Sequence, residues 1–530
     1  MTLLNSKESL PHFAKASRGK HVHFVGICGV GSSPVAIALH KFGYRVTGSD
    51  KGFYPPVSVE LEEAGVEFYA GWHPEKMGTP DIVLTGGAGT SPNNPEIVEA
   101  KKHNVPVYSF AEFIGKYFVK KNSIVTTGTW GKTTCAAFLA HILTEAGLKP
   151  SYMIGGIPIS IPSGALTDSS ESEWSVIEGD EYQAAIWDKK AKFWYYSPTH
   201  LLLTSVSWDH ADLYLTEDAY FAEFEKLVAS IPEKGLIVAC IDDTGVRKVI
   251  DHAKCRVVTY GRHSNADYKY LKVGESRDGI RFGIMKGKEA IAIESQIIGG
   301  FQAENITGCF VMAKEIGIPT KTIISSIASF VGIKRRFEKR FETLNPDGSG
   351  ATVFDCHAPT PEKARAVLRD LRKIYPRSTS SGQATKIIAI FEPNIGGRTS
   401  ESAIKYTGAF SAADTVIIPT LTKLKIDPNS PTRPIEGRDL ADLIARGHSD
   451  VRYIPKDDKL VEQLAYLAAP PLGDLEVKPP SGCVIVFLGS HSFRQMIEQI
   501  VEKLNHLPSS AISATNSSPE VSVISRVIPQ

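Results

Sequence analysis

One segment of this chain runs from an apolar strand into a glycine turn and on into an alanine-rich helix, and it constrains the fold more than any other. The strand starts at Ile124, and the turn reads Gly128-Thr129-Trp130-Gly131-Lys132-Thr133-Thr134. Small residues let backbone N–H groups close around a triphosphate, and the helix that follows offers its positive end. Lys132 can reach the outer phosphates, and the Thr133 hydroxyl can bind Mg²⁺. Although Thr126 replaces the first glycine of the general G-x-x-x-x-G-K-[ST] pattern, the segment predicts a site for ATP and Mg²⁺.

The composition is that of an ordinary globular protein. At 530 residues the chain is long enough for about three domains. The net charge is +1, which argues against nucleic acid or an anionic membrane surface as the main partner. The seven cysteines are scattered singly, so neither a disulfide framework nor a zinc cluster is expected. With neither an apolar leader nor a long apolar run, the sequence predicts a cytoplasmic enzyme.

The first part of the chain combines a strand, a glycine turn and a helix. The strand is residues 21–25, and the turn reads Gly26-Ile27-Cys28-Gly29-Val30-Gly31. A second strand ends at Asp50, and the spacing to this acidic residue resembles a dinucleotide-binding fingerprint, although the order of the glycines does not. Further strands alternate with helices, which favours a doubly wound, Rossmann-like domain over residues 1–120.

Two further α/β units follow. The phosphate loop opens a central, P-loop ATPase-like domain over residues 121–337. A C-terminal Rossmann-like domain is expected over residues 338–508, after a basic stretch at residues 334–336. Residues 509–530 are rich in Ser, Asn, Thr and Pro with few large apolar side chains, which predicts a disordered tail. The fold class is therefore α/β with three domains.

Acidic residues follow two predicted strands of the central domain. Glu178-Gly179-Asp180-Glu181-Tyr182 leaves one strand at its carboxyl end, and Asp209-His210 follows another strand. Ligands collect at the carboxyl ends of strands in open α/β sheets, so both segments are expected near the phosphate loop. Glu178 and His210 are therefore predicted to hold the Mg²⁺ ion together with Thr133.

These three motifs resemble the ATP-site motifs of the Mur ligases, the ATP-dependent amide-forming enzymes of peptidoglycan metabolism. The similarity extends over nearly the whole chain. Residues 299–305 resemble the family's adenine-side motif, with Gln302 in place of its first Asn, and residues 332–337 resemble the hinge before its third domain. The resemblance implies catalytic roles for Lys132, Glu178 and His210. It implies that ATP contacts Gly128, Thr129, Gly131, Lys132, Thr133, Thr134 and Asn305.

The first glycine turn is similar to the turn that family members use for the diphosphate of a UDP-sugar, which implies UDP-N-acetylmuramate as one substrate. The branch that acts on this compound directly contains two activities, addition of L-alanine and addition of the recycled tripeptide L-alanyl-γ-D-glutamyl-meso-diaminopimelate. Residues 180–193 and 209–212 resemble the tripeptide-adding enzymes more closely, and we favour that activity. The implied substrate contacts are Gly26, Gly29, Gly31, Ser32, Asp50, Arg336 and Arg398.

Three positions depart from the family pattern. Trp130 stands where relatives usually carry His or Asn, and Ser205 replaces an Asn before the Asp-His pair. The third-domain motif Asp-[Tyr/Phe]-Ala-His-His-Pro appears as Asp355-Cys356-His357-Ala358-Pro359. That loop would help to place the acceptor. The departures therefore bear on the acceptor more than on ATP chemistry.

The resemblance implies a reaction in two steps. The muramyl carboxylate attacks the γ-phosphate of ATP, and the acceptor amine then displaces phosphate from the acyl phosphate to leave an amide. Such chemistry needs charge neutralisation, which Lys132 and Mg²⁺ would supply, and exclusion of water. Arg398 is a candidate for holding an acceptor carboxylate with its planar fork, and a surface role on its glycine-rich loop is the alternative.

Three other functions stay open at this point. A dehydrogenase built on residues 26–50 would leave the phosphate loop idle, and a folate polyglutamate ligase would usually lack the UDP-sugar-like first domain. A non-catalytic sensor of cell-wall precursors would bind without ligation. The expected partners are a UDP-sugar and a peptide or amino-acid acceptor, and the protein is expected to be a monomer or a weak homo-oligomer.

Overall fold

Apolar strands alternate with helices at the start of the chain and form a five-stranded sheet in this computed structural model. The strands are β1 (His21–Val25), β2 (Arg45–Asp50), β3 (Glu67–Ala70), β4 (Ile82–Thr85) and β5 (Val107–Ser109). The helices are α1 (Ser32–Phe42), α2 (Val57–Glu63), α3 (Pro74–Met77), α4 (Pro95–Lys102) and α5 (Phe110–Tyr117). All five strands are parallel, in the order β3-β2-β1-β4-β5, which is the predicted doubly wound arrangement.

The chain divides into two compact units, residues 1–337 and 338–530. The further division of the first unit at residue 120 remains a prediction. The predicted disordered tail, residues 509–530, lies outside the residues that the structure describes. Those residues are 19–29, 31–53, 57–86, 90–210, 213–343, 350–377, 385–394, 398, 403–422, 434–468, 482–490 and 493–506.

The second sheet of the first unit contains ten strands, and a two-stranded hairpin lies beside it. The strands are β6 (Asn122–Thr127), β7 (Ser151–Met153), β8 (Gly164–Ala165), β9 (Trp174–Gly179), the hairpin strands β10 (Gln183–Ala185) and β11 (Asp188–Ala191), β12 (His200–Leu203), β13 (Leu236–Cys240), β14 (Arg256–Gly261), β15 (Tyr268–Ser276), β16 (Gly279–Lys286) and β17 (Glu289–Ser295). The helices are α6 (Lys132–Glu145), α7 (Glu217–Ser230), α8 (Thr244–Val249), α9 (Gln302–Glu315) and α10 (Thr320–Ser329).

The order of this sheet places the phosphate loop at its centre. The strands run β17-β16-β15-β14-β13-β12-β6-β9-β7-β8, and β6 pairs in parallel with both β12 and β9. Thr127, the last residue of β6, is in register with Leu203 on one side and Gly179 on the other. The carboxyl ends of these three strands therefore meet at one edge of the sheet.

The second unit contains a six-stranded sheet. Its strands are β18 (Glu338–Glu342), β19 (Ala351–Cys356), β20 (Thr385–Glu392), β21 (Thr415–Pro419), β22 (Val451–Ile454) and β23 (Gly482–Gly489), and its helices are α11 (Pro361–Ile374), α12 (Gly437–Ala445), α13 (Asp457–Ala468) and α14 (Met496–Asn505). The order is β18-β19-β23-β20-β21-β22, with only β18 antiparallel to its neighbour. One parallel and two mainly parallel sheets, with helices between their strands, confirm the predicted α/β fold class.

Local sequence explains several of these elements. Ser109 and Glu112 form a reciprocal capping box at the start of α5, and the Thr216 hydroxyl accepts a hydrogen bond from the Ala219 N–H at the start of α7. Helix α6 is buried along nearly its whole length, which explains why it is rich in alanine and leucine rather than amphipathic. None of the helices in the described part of the chain combines the length and the hydropathy needed to cross a bilayer.

Candidate active site

Two glycines shape the phosphate loop between β6 and α6. Gly128 and Gly131 have φ values of 133° and 80°, in the region that side chains rarely adopt. A Cβ atom on Gly128 would lie 2.4 Å from Thr204 Oγ1, and one on Gly131 would lie 2.5 Å from Asn305 Oδ1. The loop therefore needs glycine at both positions, for conformation and for space.

The loop is anchored to the segment that follows β12. The backbone N–H of Trp130 donates to Ser205 Oγ at 2.9 Å, so the serine that departs from the family pattern holds the loop directly. Thr129 Oγ1 donates to the Ser207 carbonyl at 2.8 Å and accepts from the Ser207 N–H at the same distance. The indole of Trp130 is 54% exposed. These contacts fix the backbone of the loop while leaving that indole in solvent.

Lys132 is held inside the loop by a carboxylate. Its ammonium group donates to the Gly128 carbonyl at 2.8 Å and to Glu181 Oε2 at 2.9 Å. Burial opposes the charge of Lys132, but nearby carboxylates, Glu181 foremost, outweigh it and raise its pKa. Burial likewise raises the pKa of Glu181, while the Lys132 charge opposes that shift. A phosphate group entering the loop would compete with Glu181 for this ammonium.

Thr133 and Glu178 lie together, as predicted for a metal site. The Thr133 hydroxyl donates to Glu178 Oε1 at 2.8 Å, and the Gly155 N–H donates to Glu178 Oε2 at 2.7 Å. The Arg336 guanidinium donates to Thr133 Oγ1 at 3.2 Å. Arg336, predicted to contact substrate, is therefore at the phosphate loop.

His210 lies beside Asp180 and Glu181, which form a second acidic group next to Lys132. Its Nε2 lies 3.7 Å from Glu181 Oε1, its ring packs on Tyr182 with centroids 4.9 Å apart, and its φ is 55°. Atoms of Asp180, Glu181 and His210 lie within 4.8 Å of one another, close enough to share a cation. Burial opposes the charge of Asp180, but Lys192 and Lys132 outweigh it and lower its pKa. The sequence pattern predicts a metal-binding role for Glu178 but gives no individual role to Glu181, although both stand in one acidic run.

Asn305 contacts the phosphate loop from the first turn of α9. Its side-chain N–H donates to Gln302 Oε1 at 2.9 Å, and both residues are buried. The residue that replaces the family's first Asn thus holds the second one in place. The packing of Asn305 against Gly131 places the adenine-side motif directly beside the phosphate loop.

The first glycine turn is compact and internally bonded. Gly26 has a φ of 94°, and its N–H donates to the Ser49 carbonyl at 2.8 Å. The Asp50 carboxylate accepts from the Cys28 N–H at 2.9 Å, so Asp50 braces the turn. The Ser32 hydroxyl is buried and donates to the Gly86 carbonyl at 2.8 Å. A Cβ on Gly29 would meet that same carbonyl at 3.0 Å, and one on Gly31 would meet the Phe110 ring at 3.2 Å.

Arg398 belongs to the second unit, and its guanidinium is occupied there. It donates to the carbonyls of Ile435 at 3.1 Å and Thr422 at 2.8 Å, and it pairs with Glu436 at 3.3 Å. The residue is only 2% exposed. These contacts favour a supporting role over the predicted grip on an acceptor carboxylate, and they also exclude the surface alternative.

Comparisons with known proteins agree with this arrangement. Residues 21–121 match the Mur ligase family catalytic domain, and residues 126–313 match the Mur ligase middle domain. A UDP-N-acetylmuramate–L-alanine ligase of Chlorobaculum tepidum is 31% identical over 400 residues, which are 75% of this chain and 80% of that relative.

Two solved structures resemble the fold. A UDP-N-acetylmuramate–alanine ligase of Thermotoga maritima superposes with a TM-score of 0.71 at 23% identity, over 92% of this chain and 99% of that one. A UDP-N-acetylmuramate:L-alanyl-gamma-D-glutamyl-meso-diaminopimelate ligase of Neisseria meningitides gives a TM-score of 0.52 at 27% identity, over 60% of this chain and 100% of that one.

Proposed function

Because this chain belongs to the Mur ligase family of ATP-dependent amide ligases, we propose that it joins UDP-N-acetylmuramate to L-alanine in peptidoglycan biosynthesis, with release of ADP and phosphate. The observation that carries the choice of acceptor is the name of the Chlorobaculum tepidum relative and of a Salinibacter ruber relative that is 29% identical over 93% of this chain; both are UDP-N-acetylmuramate–L-alanine ligases. This choice replaces the tripeptide favoured on sequence alone. A cytoplasmic location and a monomer or weak homo-oligomer remain predictions.

The phosphate loop would bind the triphosphate through its backbone. The N–H groups of residues 129–134 lie in the loop before α6 and in its first turn, where the helix dipole favours an anion. Lys132 would leave Glu181 for the outer phosphates, since its ammonium group already lies in the loop. Asn305 supports Gly131 from the adenine side.

The oxygen donors in the loop fit Mg²⁺. Thr133 Oγ1 and the Glu178 carboxylate are hard donors 2.8 Å apart, and the Asp180–Glu181–His210 group adds two more carboxylates. Bound there, Mg²⁺ would offset the negative charge of the transferring phosphoryl group. The His210 nitrogen is a less favoured ligand for this ion, so its position beside Glu181 supports a role in orienting that carboxylate.

The proposed reaction has two balanced steps. A muramyl carboxylate oxygen attacks the γ-phosphorus, and the bond from that phosphorus to the ADP oxygen breaks. The neutral amine of L-alanine then attacks the acyl carbon, phosphate leaves with the bonding electron pair, and the nitrogen loses a proton. Lys132 would stabilise the charge that develops on the phosphoryl oxygens in the first step. The turn at Gly26 would hold the UDP-sugar through Gly29 and Gly31 at the start of α1.

The tripeptide is the second candidate acceptor. Residues 180–193, which resemble tripeptide-adding enzymes, follow β9 and form the β10–β11 hairpin with the residues on either side of it. The similarity to the Neisseria meningitides ligase, which covers 60% of this chain, also supports the tripeptide as the acceptor. The two acceptors share an amino-terminal L-alanine, so a direct comparison separates them.

Mass spectrometry of the sugar-nucleotide product tests the proposal. Purified protein would be incubated with UDP-N-acetylmuramate, ATP and Mg²⁺, and with L-alanine or the tripeptide in separate reactions. The proposal predicts a product heavier by one alanyl residue in the first reaction. A product only in the second reaction would move the protein to recycling, and no product in either would favour the sensor.

A further inference from the structure

One loop contacts both the phosphate loop and the last residues of the first unit. It comprises residues 154–160, which follow β7, and we call it the 154–160 loop. Its Gly155 N–H holds Glu178 at 2.7 Å, and a Cβ on Gly156 would lie 2.9 Å from Thr133 Cγ2. The loop therefore touches both residues proposed for the metal. A shift in its backbone would move the Glu178 carboxylate.

The same loop pairs with residues 332–337, which resemble the family's hinge and which we call the hinge segment. The Lys334 N–H donates to the Ile157 carbonyl at 2.8 Å, and the Ile159 N–H donates to the Gly332 carbonyl at 2.9 Å. Pro158 and Ile333 form an antiparallel bridge between them. Two backbone segments bonded in this way move together, and one of them carries Arg336 to Thr133.

An ion pair joins the hinge segment to helix α2. Lys334 Nζ lies 3.5 Å from Glu60 Oε1, and Glu60 belongs to α2. The Glu60 side chain is 20% exposed and that of Lys334 is 39% exposed, so the pair is partly open to solvent. Burial raises the pKa of Glu60, while the Lys334 charge opposes that rise.

Glu60 lies at a cleft of about 370 Å³ between the two parts of the first unit. Pro34 and Ile37 of α1 line one side, together with Glu60 and Glu63 of α2. Residues 157–158 and 161–164 line the other side. Lys41 also faces the cleft, so the charges around Glu60 are mixed. Pro34 of α1 packs closely on Gly164 of β8 at this cleft, since a Cβ atom on Gly164 would lie 2.9 Å from the Pro34 carbonyl oxygen.

From this geometry we infer that Glu60 is a positioning residue that couples the sugar-nucleotide turn to the phosphate loop through Lys334. The inference rests on the proposed function. Helix α1 starts at the glycine turn and lines the cleft beside Glu60. Lys334 pairs with Glu60 and bonds to Ile157, whose loop contacts Glu178 and Thr133. Binding at the glycine turn would act on α1 and on α2, which packs against it, and would thus affect the position of the Glu178 carboxylate. The effect is reciprocal by thermodynamic necessity.

Equilibrium binding of a non-hydrolysable ATP analogue with Mg²⁺, with and without UDP-N-acetylmuramate, tests this coupling. In the wild type we expect the sugar nucleotide to tighten binding of the analogue about fivefold or more. In Glu60→Gln that factor should fall towards one, while each ligand alone binds within about twofold of wild type. The matched control is Glu63→Gln, which removes a carboxylate from the same cleft and should keep the factor.

The reversed pair, Glu60→Lys with Lys334→Glu, should recover much of the coupling that either single variant loses. A merely structural role for Glu60 would not give such a recovery. Wild-type coupling retained in Glu60→Gln would overturn the inference and leave the proposed function standing. Absence of UDP-N-acetylmuramate binding to the wild-type protein would instead contradict the proposed function, and the coupling with it.

Discussion

The Glu181 carboxylate lies 2.9 Å from the Lys132 ammonium group, and its side chain is only 1% exposed. The pair neutralises two charges that would otherwise be buried in the phosphate loop. Because Lys132 also contacts the Gly128 carbonyl, its head group is already positioned for an incoming phosphate. ATP would replace one negative partner with another.

Replacement of Lys132 by Met should reduce kcat by roughly 100-fold or more, because the transferring phosphoryl group loses a pre-positioned cation. The measurement is the initial rate of ADP formation at saturating substrates. Lys226→Met is the control, since Lys226 makes an exposed pair with Glu223. A Lys132→Met enzyme with near wild-type kcat would contradict the role given to this residue.

Replacement of Glu178 by Gln should raise the Mg²⁺ concentration needed for half-maximal rate by about tenfold or more, because one anionic oxygen donor is lost beside Thr133. A titration of the rate with Mg²⁺ measures the change. Glu173→Gln is a suitable control because Glu173 stands just before the same strand and pairs with Lys121 at the surface. An unchanged Mg²⁺ requirement in Glu178→Gln would shift the metal to the Asp180–Glu181–His210 group.

Sequence patterns predicted the sheets and the phosphate loop because each depends on local residue order. The roles of Gly128, Gly131 and Glu178 could be predicted because each residue lies at a strand end or in a turn of known chemistry. The structure brings these three residues together. The partner of Lys132 could not be predicted, since the choice between Glu178 and Glu181 depends on how the chain leaves β9. The burial of Arg398 depends on residues 422, 435 and 436, which are distant in sequence. The Asp50 carboxylate accepts a hydrogen bond from the Cys28 N–H, and sequence spacing alone does not distinguish this role from a contact with substrate.

Replacement of Trp130 by Asn should leave stability within about 0.5 kcal/mol of wild type, because the indole is exposed and the loop is anchored through backbone atoms. We expect ATP binding to change the tryptophan emission of the wild-type protein, and the same variant should lose that change. Trp187→Asn removes another exposed indole, distant in sequence, and should keep that change. Loss of ATP binding in Trp130→Asn would show that the side chain, and not only the backbone, forms the site.

Glu304 should make the central part of the chain less stable as pH rises. Burial, followed by the Asp242 charge, raises its pKa to about 7 from an ordinary value of 4.5. Between these values the folded state keeps a proton that the unfolded chain has lost, so the free energy of unfolding falls as pH increases through that window.

Glu304→Gln removes this titration. The variant should be more stable than wild type at pH 8, by about 3 kcal/mol at most, and should differ little at pH 5. Thermal unfolding at the two pH values measures the difference. Glu294→Gln, at an exposed carboxylate paired with Arg281, should show no such pH dependence. An equal effect of Glu304→Gln at both pH values would contradict the raised pKa.

The proposed function is that this chain activates UDP-N-acetylmuramate with ATP and joins it to L-alanine. Phosphate release by the purified protein with UDP-N-acetylmuramate, ATP and Mg²⁺ tests it most directly, in parallel reactions with L-alanine, with the tripeptide and with no acceptor. We expect rapid release with L-alanine and little without an acceptor. Release with the tripeptide alone, or no release in any reaction, would contradict it.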